Sequence, residues 1–346
     1  MQQIADEAGV SRMAVSLALR NSPKISATTG KRIHAIAERL GYRPNPLVSA
    51  LMTQLRHSKE VKKPSTMAYV TTYPTADGWK RLGPFLEFYE GARDRAETLG
   101  YTLEEWWLRK PGMTEQRFCD ILYTRNIHGV LIAPLPPGGG ELRLDWPKFA
   151  AASIGYSVTA PGIHRASNNQ YDTITLALRE LTRLGYRRIG LAIPDESDVR
   201  VKRKWSAGML VYQEFIPFTQ RVPMLLAHGP FSKEFAGWFQ QHRPDAVLSL
   251  AWQSLQVMKD LGCRVPRDAG FAHLALTAAD KDWAGVIQNS ELVGAAAVDL
   301  IDAQLRRNER GIPQFAKTLL VPSQWVPGAT VRDMHATATR RVRAGK

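Results

Sequence analysis

The chain has 346 residues and carries 46 Lys or Arg against 32 Asp or Glu, so its formal net charge is +14. A chain of this length is too long for one compact domain and fits two or three domains. The two cysteines, Cys119 and Cys263, are far apart in the sequence and favour neither a disulfide framework nor a zinc site. A secretory signal would have basic and then apolar residues where this chain has Asp6 and Glu7. No apolar run approaches about eighteen residues, the length of a membrane-spanning helix. We therefore expect a soluble cytoplasmic protein without a membrane segment.

The segment IADEAGVSRMAVSLAL, residues 4–19, predicts a helix, a tight turn and a second helix. Its apolar residues recur at steps that suit two short helices sharing one buried face. Gly9 can end the first helix in the left-handed conformation, and Ser11 is a good N-cap for the second. A third helix is expected between Ser26 and Gly41. In the helix-turn-helix the second helix enters the DNA major groove; an ordinary helical hairpin is the alternative.

Positive charge is concentrated at this end of the chain. Residues 1–66 contain eleven Lys or Arg and four acids, a net charge of +7 and half of the total. Such charge beside a helix that fits a groove favours a polyphosphate partner, because each neutralised phosphate releases counterions. A solvated basic surface is the alternative, and it is our interpretation of residues 335–346, a basic tail that we expect to be disordered.

A short amphipathic segment follows the third helix. RPNPLVSALMTQLR, residues 43–56, has two prolines and then an apolar stripe that fits a helix of about ten residues. A helix this short is marginal in water, so we expect it to form when a partner packs against it. The polar sequence HSKEVKKPST then predicts a linker, and residues 46–66 are therefore expected to be a hinge helix and linker.

Residues 67–334 alternate between short apolar segments and segments of helix length. The apolar segments are bounded by Gly, Pro or charged residues, as buried parallel strands are. They are MAYVTTY, GVLIAP, FAAASIG, RRIGLAIP, VPMLLA, DAVLSLA and AGFAHLAL. This alternation predicts α/β sheets with helices on both faces. The region is longer than one sheet needs, so we expect two lobes with a ligand cleft at the carboxyl ends of the strands.

Two stretches near the start, IADEAGVSRMAVSLAL and RIHAIAERLGYRPNPLVSAL, closely resemble the headpiece of the lactose-repressor (LacI/GalR) family of bacterial transcription regulators. Later stretches are similar, in order and spacing, to the core of that family: IHGVLIAP, LTRLGYRRIGLAI, RPDAVLSL, LGCRVPRDAGFA, VIQNSELVG and LLVPSQWV. The resemblance extends to about Val331. It implies an all-α helix-turn-helix headpiece over residues 1–45 and a two-lobed, periplasmic-binding-protein-like α/β core with parallel sheets over residues 67–334.

This resemblance implies a homodimeric transcription regulator, and a repressor is the preferred interpretation. It would bind a near-palindromic operator in double-stranded DNA and change its affinity when a small molecule, such as a carbohydrate or related metabolite, enters the cleft. It implies no cofactor, no metal and no catalytic residue. An activator or an effector-independent regulator of the same family is the alternative.

In the family a capping Thr or Ser precedes the first helix, so either the natural start lies upstream of Met1 or this helix frays.

The resemblance also assigns residues to the DNA contact. The recognition helix would run from Ser11 to about Leu19, and the hinge helix would begin after Asn45. The residues assigned to DNA are Ser11, Arg12, Met13, Ser16, Asn45 and Leu51. Leu51 would wedge into the minor groove, where two symmetry-related leucines unstack a base step and bend the duplex. Ala14 and Leu17 depart from the threonine and arginine that are common in the family.

The residues assigned to the effector are Tyr73, Asp172, Arg203, Trp252 and Gln288. Arg203 lies five residues before Gly208, where the resemblance implies an arginine that contacts sugar hydroxyls. Ala275 and Leu276 replace the paired aspartates of the family, and Ala251 and Trp252 replace its Asn-Asp pair, which departs from a standard sugar pocket. Aromatic side chains stack on sugar rings, nucleobases and cations, so they either form walls of the effector site or belong to the core. The aromatic residues considered are Tyr73, Trp205, Trp252 and Trp283.

Two other classes of function fit the sequence less well. The cluster PPGGGEL at residues 136–142 lacks the GxGxxG and Walker patterns, neither HExxH nor GxSxG occurs, and the eight histidines are scattered, so we do not expect an enzyme. A solute-binding protein would share the two-lobed core, but it would carry a signal peptide in place of a basic helix-turn-helix.

Overall fold

The computed structural model describes residues 2–19, 22, 24–42, 65–81, 83–277, 280 and 282–335. Three helices form the first unit, with α1 at Gln2–Ala8, α2 at Arg12–Ala18 and α3 at Ala27–Arg39. Within the described ranges, no helix combines the length and the apolar character needed to cross a bilayer.

The turn between α1 and α2 has the geometry that the sequence predicts. Gly9 has φ of +61°, its N–H donates to the Asp6 carbonyl at 3.3 Å, and the Val10 N–H donates to the Ala5 carbonyl at 3.0 Å. This pair of bonds is a Schellman motif, which favours glycine because the left-handed conformation places no strain on it. The Ser11 hydroxyl accepts the Ala14 N–H at 3.1 Å and caps α2.

The three helices share one small core. Its buried residues are Ile4, Ala5, Ala8, Val15, Ala18, Ile33 and Ala37. Each helix supplies apolar side chains at helical spacing, and none has enough apolar surface to be stable alone. The exposed faces are therefore left to polar or partner-binding residues.

Two six-stranded sheets form the rest of the described chain. The sheet of the first lobe has the order β13-β7-β5-β3-β1-β2 and is parallel throughout. Its strands are β1 Ser65–Thr71, β2 Tyr101–Trp107, β3 Gly129–Ile132, β5 Ala150–Ile154, β7 His164–Asn168 and β13 Thr318–Val321, and a separate two-stranded sheet pairs β4 Gly140–Glu141 with β6 Val158–Ala160. Its helices are α4 Gly83–Thr98, α5 Glu115–Thr124 and α11 Ser290–Arg307.

The sheet of the second lobe has the order β14-β12-β11-β10-β8-β9, and only the pairing of β12 with β14 is antiparallel. Its strands are β8 Ile189–Pro194, β9 Leu225–Ala227, β10 Ala246–Ser249, β11 Gly270–His273, β12 Ala284–Ile287 and β14 Gln324–Val326. Its helices are α6 Gln170–Arg183, α7 Asp195–Arg200, α8 Lys204–Glu214, α9 Phe231–His242 and α10 Gln253–Asp260. The predicted class of fold, a helical unit followed by two parallel α/β lobes, is confirmed.

All seven segments predicted to be strands form strands, whereas β2, β4, β6, β7, β12, β13 and β14 were not predicted. The sequence HRASN of β7 is polar, yet all five of its residues are buried between β5 and β13. A pattern that identifies strands by apolar runs misses such a strand, because His164, Ser167 and Asn168 bind polar partners inside the protein.

The predicted start and end of the core can be compared with the described residues. Strand β1 begins at Ser65, two residues before the predicted start of the core. The Met334 N–H donates to the Leu184 carbonyl at 2.8 Å in the last described segment, which ends at His335, the first residue of the predicted tail. Most of the predicted hinge and linker, and the tail from residue 336, lie outside the described residues.

Helices α4 and α11 pack through their backbones. A Cβ added at Gly294 would lie 2.0 Å from the Phe88 carbonyl oxygen, and one at Gly91 would lie 2.0 Å from the Glu291 carbonyl oxygen. Only glycine fits at such a close approach. This contact fixes α11, which carries the chain back from the second lobe, against the first.

Candidate functional site

Helix α2 turns an exposed face away from the core of the helical unit. Met13 is 69% exposed although it is apolar, and Arg12 is also exposed. Ser16 lies one turn after Arg12 on the same side and is half-buried, whereas Val15 is buried. Arginine suits the acceptor edge of guanine, and an apolar tip suits the methyl group of thymine. This face has the chemistry of a major-groove contact.

Helix α3 holds the other two helices by their carboxyl ends. The Arg32 guanidinium donates to the Ala8 carbonyl at 2.8 Å, at the end of α1. The His34 Nε2 lies 3.0 Å from the Ala18 carbonyl oxygen at the end of α2 and can donate to it. These contacts satisfy carbonyls that a helix end leaves without partners. They orient α2 with respect to the rest of the unit.

The two other residues assigned to DNA, Asn45 and Leu51, lie outside the described residues. Their roles in the start of the hinge helix and in the minor-groove wedge stay predictions.

A cavity of about 580 Å³, the interlobe cavity, lies at the carboxyl ends of strands from both lobes. Loops after β5 and β8 supply Tyr156 and Asp195, and the loop after β9 supplies His228. The other lining residues are Gly138, Gly139, Ser157 and Thr159 from the first lobe, and Pro194, Glu196, Val199, Arg200, Lys202, Ala227 and Gly229 from the second. Ligands of open α/β sheets bind at this edge, so this cavity is the candidate effector site.

Arg200 crosses from the second lobe into the first. Its guanidinium donates to the Leu135 carbonyl at 2.7 Å and to the Pro136 carbonyl at 3.4 Å, and it lies 5.7 Å from the centroid of the Phe85 ring. Burial lowers the pKa of Arg200, and its charge partly offsets the rise in the pKa of Tyr73 that burial causes. A single side chain therefore occupies the space between an aromatic wall and a loop of the opposite lobe.

Three cations surround the ring of Tyr156. The Lys204 ammonium donates to the Tyr156 hydroxyl at 2.6 Å and lies 4.5 Å from the ring centroid. Lys202 and Arg165 lie 5.6 and 5.5 Å from the same centroid. Each cation is attracted to the ring face, but the three also repel one another. Positive charge is therefore concentrated around Tyr156, where Lys202 lines the interlobe cavity and Lys204 and Arg165 lie beside the ring.

The carboxylates beside these cations have partners of their own. Arg203 forms an ion pair with Asp195 and holds the pKa of that carboxyl below its usual range. The buried Asp198 accepts the backbone N–H groups of Trp205 and Ser206 at 3.1 and 3.2 Å, and Arg203 lies 3.5 Å from its second oxygen. Arg203 therefore stabilises the loop before α8, and its side chain is 48% exposed.

The five residues assigned to the effector do not line the interlobe cavity. Tyr73 is buried against Phe85 in the first lobe, with ring centroids 6.3 Å apart. Asp172 is exposed on the first turn of α6, where it accepts a hydrogen bond from the Asn169 side chain. Asn169 is the N-cap of α6 and accepts the Asp172 N–H, so Asp172 lies in the capped first turn of the helix.

Trp252 and Gln288 are also outside the cavity. Trp252 is 63% exposed, and the Gln288 amide donates to the Leu274 carbonyl at 2.8 Å between β11 and the end of β12. The other proposed stacking residues, Trp205 and Trp283, pack in or against the cores of the second lobe, where an indole ring buries more apolar surface than in an open cleft.

The sequence RVKRK, residues 200–204, supplies Arg200 and Lys202 to the lining of the cavity, and it places Lys204 beside Tyr156. Four basic residues within five positions after a predicted strand were a signal that sequence reasoning did not use beyond Arg203. Arg165 gave no such signal, because it lies in the polar strand β7.

Three segments connect the two lobes: residues 168–170, 287–290 and 321–324. The Asn168 amide donates to the Ser323 hydroxyl at 2.6 Å, and the Thr173 hydroxyl lies 2.6 Å from the same oxygen. The Asn289 amide donates to the Pro322 carbonyl at 2.8 Å. Side chains of the first two segments thus bind the third segment. Such a hinge permits the lobes to rotate about a defined axis.

Two family models match the chain. Residues 1–45 match the model of bacterial regulatory proteins of the lacI family, and residues 178–331 match that of the periplasmic binding protein-like domain. The first range is the helical unit, and the second covers most of the second lobe together with α11 and β13 of the first.

Curated relatives are similar over nearly the whole chain. The HTH-type transcriptional repressor CytR of Escherichia coli (strain K12) is 25% identical over 339 residues, which cover 90% of this chain and 91% of CytR. The HTH-type transcriptional regulator PtxS of Pseudomonas plecoglossicida is 24% identical over 329 residues, which cover 89% of this chain and 90% of PtxS.

Solved structures share the fold. The lac repressor dimer bound to operator and the anti-inducer ONPF has a TM-score of 0.54 and 19% identity, with 95% of this chain and 98% of that chain covered. The complex of the transcriptional regulator CelR with cellobiose also has a TM-score of 0.54, with 18% identity and coverage of 94% of this chain and 98% of that chain.

Proposed function

Because the chain belongs to the lacI family of bacterial regulatory proteins, we propose that it is a transcriptional repressor that binds operator DNA through α2 and responds to a small molecule in the interlobe cavity. The exposed face of α2 carries this proposal. Met13 and Arg12 are exposed on a short helix whose opposite face is buried, and α3 braces that helix from behind. The relative CytR is named a repressor, which supports repression over activation.

Some of the proposed contacts to DNA would position the protein on the phosphate backbone, and others would recognise the base sequence. Arg12 and Met13 would contact base edges, and the hydroxyl of Ser16 would contact a base or a phosphate from the same face. Ser11 caps α2 through its side chain, and the amino end of the helix, which is favourable to anions, would lie near the phosphates. Two copies of the chain would place two such helices in successive major grooves, and the leucine at position 51 would wedge into the minor groove between them.

The core would transmit the presence of the effector to the DNA-binding unit. A ligand that binds the closed arrangement of the lobes more tightly than the open one shifts the population toward closure. The hinge at Asn168, Ser323 and Asn289 gives the lobes a defined axis for this rotation. Since its target is chromosomal DNA, the protein would act in the cytoplasm.

A selection of genomic fragments followed by gel-shift titration tests the proposal. The purified full-length chain should retain a small set of fragments that share a near-palindromic site, with affinity that falls steeply as salt rises. Replacing Arg12 or Met13 by alanine should weaken binding to this site by about tenfold or more, because a base contact is worth about 1–3 kcal/mol. The matched control is Arg179→Ala, which removes an exposed arginine from α6 in the second lobe.

Retention of the selected site at full affinity by the Arg12→Ala, Met13→Ala double variant would contradict the assignment of α2. Equal binding of all fragments would show that the positive charge acts without sequence preference.

A further inference from the structure

Arg165 is a buried arginine that forms an ion pair with no carboxylate of the described residues. It lies in β7 and is only 9% exposed. Within the part of the chain that the structure describes, its guanidinium forms no ion pair and no side-chain hydrogen bond, and its charge faces the ring of Tyr156 at 5.5 Å. Arginine is rarely buried without a partner, because removing its charge from water costs free energy that a partner must offset. The protein alone leaves this site incomplete.

Two lysines increase the positive charge around the same ring. Lys202 and Lys204 lie 5.6 and 4.5 Å from the Tyr156 centroid, and neither forms an ion pair with any carboxylate in the described ranges. Lys204 donates to the Tyr156 hydroxyl, which is a neutral acceptor. We call the group formed by Arg165, Lys202, Lys204 and Tyr156 the oxyanion pocket.

Among the described residues, no carboxylate forms an ion pair with the cations of the oxyanion pocket, and Glu196, which also lines the interlobe cavity, acts on Arg200. Asp195 is bound by Arg203, and Asp198 accepts two backbone N–H groups of α8. Both are oriented by these bonds within the second lobe. The charge of three cations is therefore left for a group that comes from outside the chain.

From this arrangement we infer that the effector is an anionic metabolite whose phosphoryl or carboxylate group binds in the oxyanion pocket, with its body in the interlobe cavity. The inference rests on the proposed function, and it replaces a neutral carbohydrate with an anionic one. Hydroxyl groups of a neutral sugar would leave these positive charges uncompensated. An oxyanion can accept a charge-assisted hydrogen bond from Lys202, which lines the interlobe cavity, and is attracted by Arg165 and Lys204 beside the same ring. The phosphoryl and carboxylate groups share this chemistry.

The position of the oxyanion pocket also gives the effector its influence on the lobes. Tyr156 and Arg165 belong to the first lobe, and Lys202 and Lys204 belong to the second. An anion that binds both pairs holds the lobes together, so that its affinity is greater for the closed arrangement than for the open one. This difference in affinity is what couples a ligand to a conformational change.

Calorimetry and thermal denaturation of the purified full-length chain test the inference. The probes are inorganic phosphate, glucose 6-phosphate, gluconate and glucose, compared at equal ionic strength in a buffer free of phosphate. We expect glucose 6-phosphate or gluconate to bind and to raise Tm where glucose does not. The double variant Lys202→Gln, Lys204→Gln should weaken that binding by about tenfold for each charge removed. Lys259→Gln on α10, an exposed lysine outside the cavity, is the matched control and should bind as the parent does.

The oxyanion pocket is overturned if glucose binds as well as the anions, if no anion binds, or if the double lysine variant retains the affinity of the parent. Arg165→Met is a second variant, and circular dichroism determines whether it folds. Operator binding without any probe is measured in parallel. Retained operator binding with no response to anions refutes only this inference, whereas loss of operator binding refutes the proposed function.

Discussion

The Arg200 guanidinium of the second lobe donates a 2.7 Å hydrogen bond to the Leu135 carbonyl of the first. The carbonyl belongs to the loop after β3, and the arginine belongs to the last turn of α7, after β8. Both loops leave their sheets at the carboxyl edge, where a ligand would enter. One side chain of the protein thus holds the lobes together across the candidate effector site.

Removing this side chain should favour the open arrangement of the lobes. Arg200→Ala removes two hydrogen bonds and the contact with Phe85, all of which join the second lobe to the first. We expect a larger radius of gyration for the unliganded variant by small-angle X-ray scattering, whereas Arg179→Ala should match the parent. Identical scattering curves for Arg200→Ala and the parent would mean that other contacts hold the lobes.

The close approach of α4 and α11 predicts a large effect of one methyl group. Gly294→Ala places a Cβ against the Phe88 carbonyl oxygen, so the helices must separate, and we expect a loss of about 1–3 kcal/mol of unfolding free energy. Gly237→Ala is the matched control, because this glycine of α9 has no atom within 4 Å of an added Cβ and alanine favours a helix by about 0.5–1 kcal/mol. Urea denaturation should give effects of opposite sign, and equal effects would be inconsistent with the backbone contact.

The stability of the core should fall as the pH is lowered below the ordinary pKa of histidine. Burial lowers the pKa of His164 below 6.5, and its Nδ1 accepts the Lys317 N–H at 2.9 Å, which requires an unprotonated nitrogen. The unfolded chain therefore takes up the proton first. The contribution of neutral His164 to the free energy of unfolding is present above pH 6.5. It is lost as the pH falls toward the pKa of His164 in the folded chain, by up to about 1.4 kcal/mol per pH unit.

Chemical denaturation across this pH range measures the effect. His164→Gln should reduce the slope of unfolding free energy against pH, because glutamine does not titrate. A slope that is unchanged in His164→Gln would show that this histidine does not control the acid sensitivity.

The leucine wedge is testable although Leu51 lies outside the described residues. Leu51→Ala should preserve the fold and reduce operator bending, because a methyl group cannot unstack a base step. Specific affinity should fall more than non-specific affinity. Circular-permutation gel shifts measure the bend, and equal bending by the variant and the parent would remove the wedge from the proposed function.

Local sequence determined the helical unit. The Schellman turn at Gly9 and the N-caps at Ser11 and Ser26 depend on residues within five positions of each other, and all three occur where the sequence predicts them. The alternation of the later segments also determined the class of fold, because apolar runs of strand length have few other stable arrangements.

Tertiary structure alone decided the candidate effector site. Arg165 was hidden in a polar strand, and its burial against Tyr156 follows from the pairing of β7 between β5 and β13. Arg203 and Lys204 are adjacent in the sequence, yet one binds the carboxylate of Asp195 and the other faces the ring of Tyr156. Hydrogen bonds of turns and caps form between near neighbours in the chain, so sequence specifies them. The balance of charge in a cavity depends on which distant segments the two sheets bring to one edge, and no local pattern contains that information.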